Sequence, residues 1–268
     1  MSNSSTSFER ISAVIWRYWF LLRSSWPRVL ELLYWPTVSM VLWGFISGFM
    51  AQNSSYVAQA AGGLLAGVLL WDVFFRAQLG VSVSFLEEMW SRNLGHLFVT
   101  PLRPLEWVAA LLVMSMIRTI ISVLPAALLA IWFYHYSLFD LGLPLLAFFI
   151  NLLVMGWWIG LLVIAVILHK GLGAEGLAWM TAFVLVPVSA VYYPVSALPE
   201  WLQQVAMAIP ASHVFEGMRT VLFDKVFDWQ QFGMAVLLNG FYLLIAVLVF
   251  LGAFEKARER GALLQQGE

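Results

Sequence analysis

Apolar residues in this chain fall into six long runs, unlike the short alternating or spaced patterns of a soluble fold. The runs cover residues 29–50, 57–81, 105–133, 143–168, 177–197 and 233–254. A helix rises about 1.5 Å per residue, so about 20 residues cross a hydrocarbon layer of about 30 Å. Every run meets that length. The pattern predicts an all-α polytopic membrane protein, one transmembrane domain over 1–268 with six transmembrane helices. The short alternating segments of a membrane β-barrel are not seen. Glycine and proline inside several runs are tolerated better in spans than in soluble helices.

Three segments do not fit a span. Within 1–28, Phe8, Ile11, Ile15, Trp19 and Leu22 recur at steps of three and four and share one face, with Arg10 and Arg17 opposite. This predicts an N-terminal amphipathic interfacial helix over 8–24, its apolar face in lipid and its arginines toward phosphates. Arginines interleaved with aromatics are not the layout of a cleavable signal peptide. Residues 84–104 read SFLEEMWSRNLGHLFVTPLRP, too polar to span and too apolar for a plain linker. They predict a short helix ending near Gly95, then an extended turn set by Pro101 and Pro104. Residues 194–231 predict two short helices, about 199–209 and 212–223, broken at Pro210. The expectation is an outer re-entrant half-helix pair between spans five and six.

Composition agrees with the runs. Of 268 residues 62% are hydrophobic and 11% charged, and mean hydropathy is +0.86. Soluble domains carry about 25% charged residues. A net charge of −1 without a basic block excludes nucleic-acid binding, and the lack of cysteine excludes disulfides and thiolate chemistry. Arg10, Arg17, Arg23, Arg28, Arg92, Arg103, Lys170, Lys256, Arg258 and Arg260 fall on one side of the predicted spans; Arg219 and Lys225 fall on the other. The positive-inside rule then puts both termini in the cytoplasm.

Charges inside the runs are the first functional candidates, because a charge in a bilayer is costly. Asp72 and Arg76 lie four apart on one helical face, and Arg118 sits in the third run. They predict an intramembrane charge network, either a local Asp72–Arg76 pair or a bridge from Asp72 to Arg118. Glu216 and Arg219, three apart in the outer segment, predict a local pair or, with Pro194 and Trp201, an outer gate. His96, His135, His169 and His213 are scattered over loops and ends, so no metal or haem site and no cofactor on this chain is expected. Trp157, Trp158, Tyr192 and Tyr193 are aromatic candidates for a path wall.

Two segments carry a family resemblance. LGHLFVTPLRPLEWVAA resembles the cytoplasmic loop of ABC exporter permeases of the second class, on Gly95, Leu97, Thr100, Pro101, Leu102, Arg103 and Pro104; His96 and Phe98 depart from the commonest residues there. PVSALPEWLQQVAMAIPASHVFEGMR is similar to a second run of that class, on Pro194, Ser196, Leu198, Pro199, Trp201, Leu202, Pro210, Glu216 and Arg219. The resemblance implies the membrane subunit of an ATP-driven exporter in the cell inner (cytoplasmic) membrane. It implies a dimer of this chain, joined through the first, second and fifth spans, with two copies of a separate ABC ATPase that holds ATP and Mg. Residues 84–104 would then be the coupling loop, with Glu87, Glu88, Trp90, Arg92 and Leu94 as ATPase contacts. The cargo would be a polysaccharide, a lipid-linked or an amphipathic molecule.

The sequence has no G-x-x-x-x-G-K-[ST] phosphate cradle, so the energy source is expected on another chain. Two other classes compete. A self-sufficient channel or secondary carrier needs an intramembrane ion or proton site and usually inverted repeats; Asp72 is its one candidate. An intramembrane serine enzyme needs a nucleophile with a base in reach. Ser47-Gly48 lacks the G-x-S-x-G spacing and has no histidine at matching depth.

Overall fold

The computed structural model describes residues 6–51 and 55–261. Residues 1–5 of the expected interfacial segment, and 52–54 of the polar connection between the first two runs, lie outside the described residues. Every regular element among the described residues is helical: α1 Ser7–Arg23, α2 Trp26–Ala51, α3 Ser55–Trp90, α4 Leu94–Val99, α5 Pro104–Tyr134, α6 Leu143–Lys170, α7 Leu177–Leu185, α8 Glu200–Met207, α9 Pro210–Phe223 and α10 Trp229–Glu259.

Helix α3 is the axis of the bundle. In its most apolar window 83% of residues are buried, against 17% in α2 and 22% in α10. Notches let its neighbours approach. A Cβ on Gly156 of α6 would stand 2.6 Å from Ala77 Cβ and 2.8 Å from Gln78 N; one on Gly160 would stand 2.8 Å from Val81 Cβ. Small residues at such crossings let helix backbones touch, which is how helices associate in lipid. On the other side of α3, Ser115 Oγ of α5 donates to the Ala77 carbonyl at 2.7 Å. Helices α6 and α10 are joined by amides. Asn239 Nδ2 donates to Asn151 Oδ1 at 3.0 Å, and Trp158 Nε1 donates to Asn239 Oδ1 at 3.0 Å.

Contacts fix the helix directions. Trp90, Phe75 and Gly67 of α3 meet Glu175, Phe183 and Val191 in turn, so the segment through α7 runs antiparallel to α3. Helix α10 runs alongside α6: Phe148 meets Phe227 and Trp158 meets Tyr242.

Among the described residues, five helices are by length and composition able to cross a membrane; in place of the fifth expected run stands a shorter apolar stretch, Leu172–Val188. Its helix breaks where Pro187 removes a donor, Ser189 Oγ bonds back to the Leu185 carbonyl, and Ala190 takes a left-handed φ of 55°. The second run does not stop at 81. Helix α3 continues unbroken to Trp90, so the predicted short helix ending near Gly95 does not form. The chain turns instead at Arg92, with φ 56°, and Gly95 lies inside the six-residue α4.

Helix α1 matches the amphipathic segment in extent, but not in what its arginines meet. Val14, Tyr18 and Leu22 are buried, whereas Phe8, Trp16 and Phe20 are exposed. Arg10 and Arg17 flank the buried face and pair with Glu106 and Glu88 of the bundle, so they do not simply face outward.

The tight α3–α6 crossing generates a prediction. Gly156→Val must push a side chain into the backbone of α3 at Phe74 and Gln78. Overpacking of this kind costs about 1–3 kcal/mol, so the melting temperature of the purified chain in detergent should fall by several degrees. Gly48→Ala, which meets nothing within 4 Å, should not lower it, since alanine favours a helix interior over glycine.

Candidate functional site

The end of α3 is braced on three sides by charges far away in sequence. Glu88, 2% exposed, takes Arg17 of α1 at 2.8 Å and also accepts from Asn93 Nδ2 at 2.7 Å. Its neighbour Glu87 meets Arg118 of α5 at 3.4 Å and Arg28 of α2 at 3.7 Å. Helix α1 is pinned twice more. Arg10 forks onto Glu106 with bonds of 2.6 and 2.9 Å, and Trp107 Nε1 donates to Tyr18 Oη at 3.1 Å. Glu106 Oε2 also accepts from the Arg103 N–H, capping the start of α5. Burial pushes the Tyr18 phenol well above its ordinary value. Burial also opposes the Arg17 charge, but the Glu88 carboxylate outweighs it and holds the guanidinium protonated.

Helix α4 hangs from this braced end. Leu94 and Leu97 are buried, and Phe98 packs against Trp107 and Phe254 with ring centroids 5.3 and 4.6 Å apart. Its other face, with Arg92, His96, Val99 and Thr100, is exposed. Trp90 is half-exposed and donates to Glu175 at 2.9 Å. Of the five expected ATPase contacts, therefore, Trp90 and Arg92 reach the surface. Glu87, Glu88 and Leu94 are internal: two struts and a core residue.

Above the struts lies a cavity of about 340 Å³ between α2, α3, α5 and α7. Arg28, Arg76, Arg118, Glu31 and Glu87 supply its charges. Arg118 reaches it by extending toward the Trp90 end. One turn back along α5, Ser115 sits against Gly80, whereas the Arg118 partner Glu87 lies two turns further on. The expected Asp72–Arg118 bridge is absent, and Asp72 forms no ion pair within 4 Å of either arginine among the described residues. Asp72 Oδ2, Arg76 Nε and Arg118 Nε are buried without a hydrogen-bond partner. The trio thus splits: Arg76 and Arg118 line one cavity, and Asp72 sits one turn above.

At the opposite end, Glu216 and Arg219 of α9 clamp the broken backbone after α7. Arg219 Nη2 donates to the Ala190 carbonyl, to Tyr193 at 2.8 Å and to Val191 at 3.4 Å. Glu216 accepts from the Val195 N–H at 2.6 Å and pairs with Arg219 at 3.4 Å. Ser212 Oγ donates to the Val188 carbonyl at 2.9 Å. The chain beyond α7 has no regular bonding ladder, and α9 supplies donors to its Val188, Ala190, Val191 and Tyr193 carbonyls. Burial lowers the Arg219 guanidinium, so its charge is kept by these acceptors and by Glu216. Pro194 lies within the clamped stretch, but Trp201 is 68% exposed and takes no part.

The profile of the ABC-2 type transporter family matches residues 9–223, from α1 through α9. The chain belongs to this family. No curated protein matches it. The ABC-2 membrane domain is a transport subunit, and the family usually works with an ATPase partner.

Sequence reasoning missed Glu106 and Asn239 in this ABC-2 chain, and gave Arg10 and Arg17 to lipid phosphates where they meet Glu106 and Glu88. Arg10–Glu106 and Arg17–Glu88 span 96 and 71 residues. Only Glu106, three residues after Arg103 and just past Pro104, carried a local signal, that of a helix start.

The clamp makes a prediction. Arg219→Lys keeps the charge, but its one nitrogen on a shorter stem cannot stand both where Nη2 meets three carbonyls and where Nη1 faces Glu216. It should lower yield and melting temperature nearly as much as Arg219→Ala, each by about 2 kcal/mol for the buried acceptors left unserved. Thermal unfolding in detergent checks the order of the two variants.

Proposed function

We propose that this chain is the membrane subunit of an ATP-driven exporter, working as a homodimer with two copies of a separate ATPase that carries ATP and Mg. One observation carries the reading. Helix α4 presents an exposed outer face, while its inner face and the adjoining end of α3 are wedged into α1, α2, α5 and α10. A push on α4 therefore moves the bundle frame and is not lost in a loose linker. Helix α4 with Trp90 and Arg92 is the coupling element; Glu87, Glu88 and Leu94 transmit the push from inside.

The stretch Leu172–Val191 serves as the sixth crossing, because it runs along α3 from Trp90 to Gly67. The basic residues gathered at the α4 end support a cytoplasmic position for that end and for both termini, and the reading takes the membrane to be the cell inner membrane. Helices α8 and α9 then form the outer half-helix pair, with Glu216 and Arg219 as the hinge of an outer gate beside Pro194. Helix α1 lies at the inner interface, with Trp16 and Phe20 toward lipid. The cargo is a polysaccharide, a lipid-linked or an amphipathic molecule. A second reading, a self-sufficient carrier, rests on the buried and unpartnered Asp72 Oδ2 as a proton site. It requires transport driven by a proton gradient without any ATPase.

Of the first, second and fifth spans, the first and fifth are the better candidates for the dimer contact. Helix α3, the second, is consumed by its own bundle. Helix α2 keeps a stripe free at Trp35, Leu42, Phe45 and Phe49, and α7 keeps Phe183 and Val184. These two helices make the interface.

Two outcomes test this. His96→Glu together with Val99→Asp should weaken ATPase capture at least about tenfold, the loss of one or two good contacts. The melting temperature of the isolated chain should not move, whereas Leu94→Ala should lower it. Normal ATPase binding and coupled hydrolysis in the double variant would overturn the coupling role of α4. The chain has no cysteine, so single-cysteine cross-linking is clean: Phe45→Cys should give a disulfide dimer in membranes and Leu244→Cys on α10 should not.

A further inference from the structure

We propose that the cavity between α2, α3, α5 and α7 binds the phosphate-class oxyanion of an amphipathic molecule. Three arginines, Arg28, Arg76 and Arg118, face it against two carboxylates, Glu31 and Glu87. Asp72 is one turn above Arg76 and does not line it. Arg76 and Arg118 are 7% and 6% exposed, and the Nε of each has no hydrogen-bond partner. A buried guanidinium with an unused donor is costly. An oxyanion answers both, because the guanidinium fork matches phosphate geometry.

The internal competitor is weakly engaged. Glu87 stands 3.4 Å from Arg118 and 3.7 Å from Arg28, whereas the pairs that hold α1 close to 2.6 and 2.8 Å. A phosphate displacing Glu87 therefore gives up little. The remaining wall is apolar, from Leu32, Leu79 and Trp179. It suits a hydrocarbon chain leading away from the charged head. The volume of about 340 Å³ accepts a headgroup and the start of a chain.

The test needs no ATPase, so its failure leaves the export reading standing, and failure of ATPase capture leaves this site standing. The full-length chain in the uncharged detergent dodecyl maltoside is titrated with dodecyl phosphate, with inorganic phosphate and with dodecyltrimethylammonium at fixed micelle concentration. Binding is read by thermophoresis. Dodecyl phosphate should saturate, inorganic phosphate should bind at least about tenfold more weakly, and the cation should not bind. Arg76→Gln and Arg118→Gln should each weaken dodecyl phosphate about tenfold, the worth of one charged hydrogen bond. Glu87→Gln removes the competitor and should tighten binding about threefold, an increase that a misfolded variant cannot produce. Unchanged or weaker binding in Glu87→Gln would overturn the proposal, as would equal binding of the cation. Inorganic phosphate binding as tightly as dodecyl phosphate would overturn the amphipathic ligand and leave a free-anion site.

Discussion

Inside an apolar bundle a charge or a bare carbonyl must be answered by another group of the same chain, because lipid offers no hydrogen bonds. That constraint shapes each irregular place in this fold. Where the stretch after α7 leaves the helix, Arg219, Glu216 and Ser212 of α9 supply its missing partners. Where α6 and α10 meet, Asn239 donates to Asn151 Oδ1 and accepts from Trp158 Nε1. Where α3 ends, Glu87 and Glu88 collect three arginines from three other helices. Buried polar atoms left without a partner include Arg17 Nη1, Ser47 Oγ, Gln78 Oε1, Tyr136 Oη, Trp157 Nε1 and Arg219 Nη1 as well as Asp72 Oδ2, Arg76 Nε and Arg118 Nε. Of these side chains, Arg76 and Arg118 line one cavity together.

Packing in lipid has no hydrophobic drive between helices, so close van der Waals fit decides which helices belong together. Gly156 and Gly160 of α6, and Gly80 of α3 against Ser115 of α5, bring these backbones together. Helices α2 and α10 lack such a seat over most of their length and expose Phe45, Phe49, Phe241 and Leu244. The bundle therefore has a stiff centre around α3 and two outer helices with open faces. On the export reading one open face meets a second copy and the other meets lipid.

The long helices were legible because a continuous apolar run of sufficient length has few other fates. The N-terminal amphipathic helix was legible from its step of three and four. The fifth run failed that logic: its residues are apolar throughout, yet Pro187, Ser189 and Ala190 end the helix before it reaches a full span. Hydropathy counts apolar residues and does not register where a backbone turns. Glu87 and Glu88 misled for the opposite reason. Adjacent carboxylates read as a solvated surface, and only arginines distant in sequence turn them inward. Asp72 and Arg118 were sensible partners by depth, but an arginine is long enough to extend toward the bundle end, where its charge is cheaper.

Bond lengths around α3 divide the frame into firm and yielding parts. Arg10–Glu106 at 2.6 Å and Arg17–Glu88 at 2.8 Å fix α1 to α5 and α3. Arg118–Glu87 and Arg28–Glu87, at 3.4 and 3.7 Å, join α3 to α5 and α2 far less tightly. A force on α4 would move α1 and the end of α3 as a unit, because their contacts are short. The yielding contacts lie on the side of α2 and α5, where the cavity is. Separation there exchanges long ion pairs for new partners at small cost, whereas separation on the α1 side breaks short ones. If α4 is driven by an ATPase, the first motion to reach the membrane interior is therefore a change in this cavity. The arginines that could hold an anionic headgroup would be the first to feel the push.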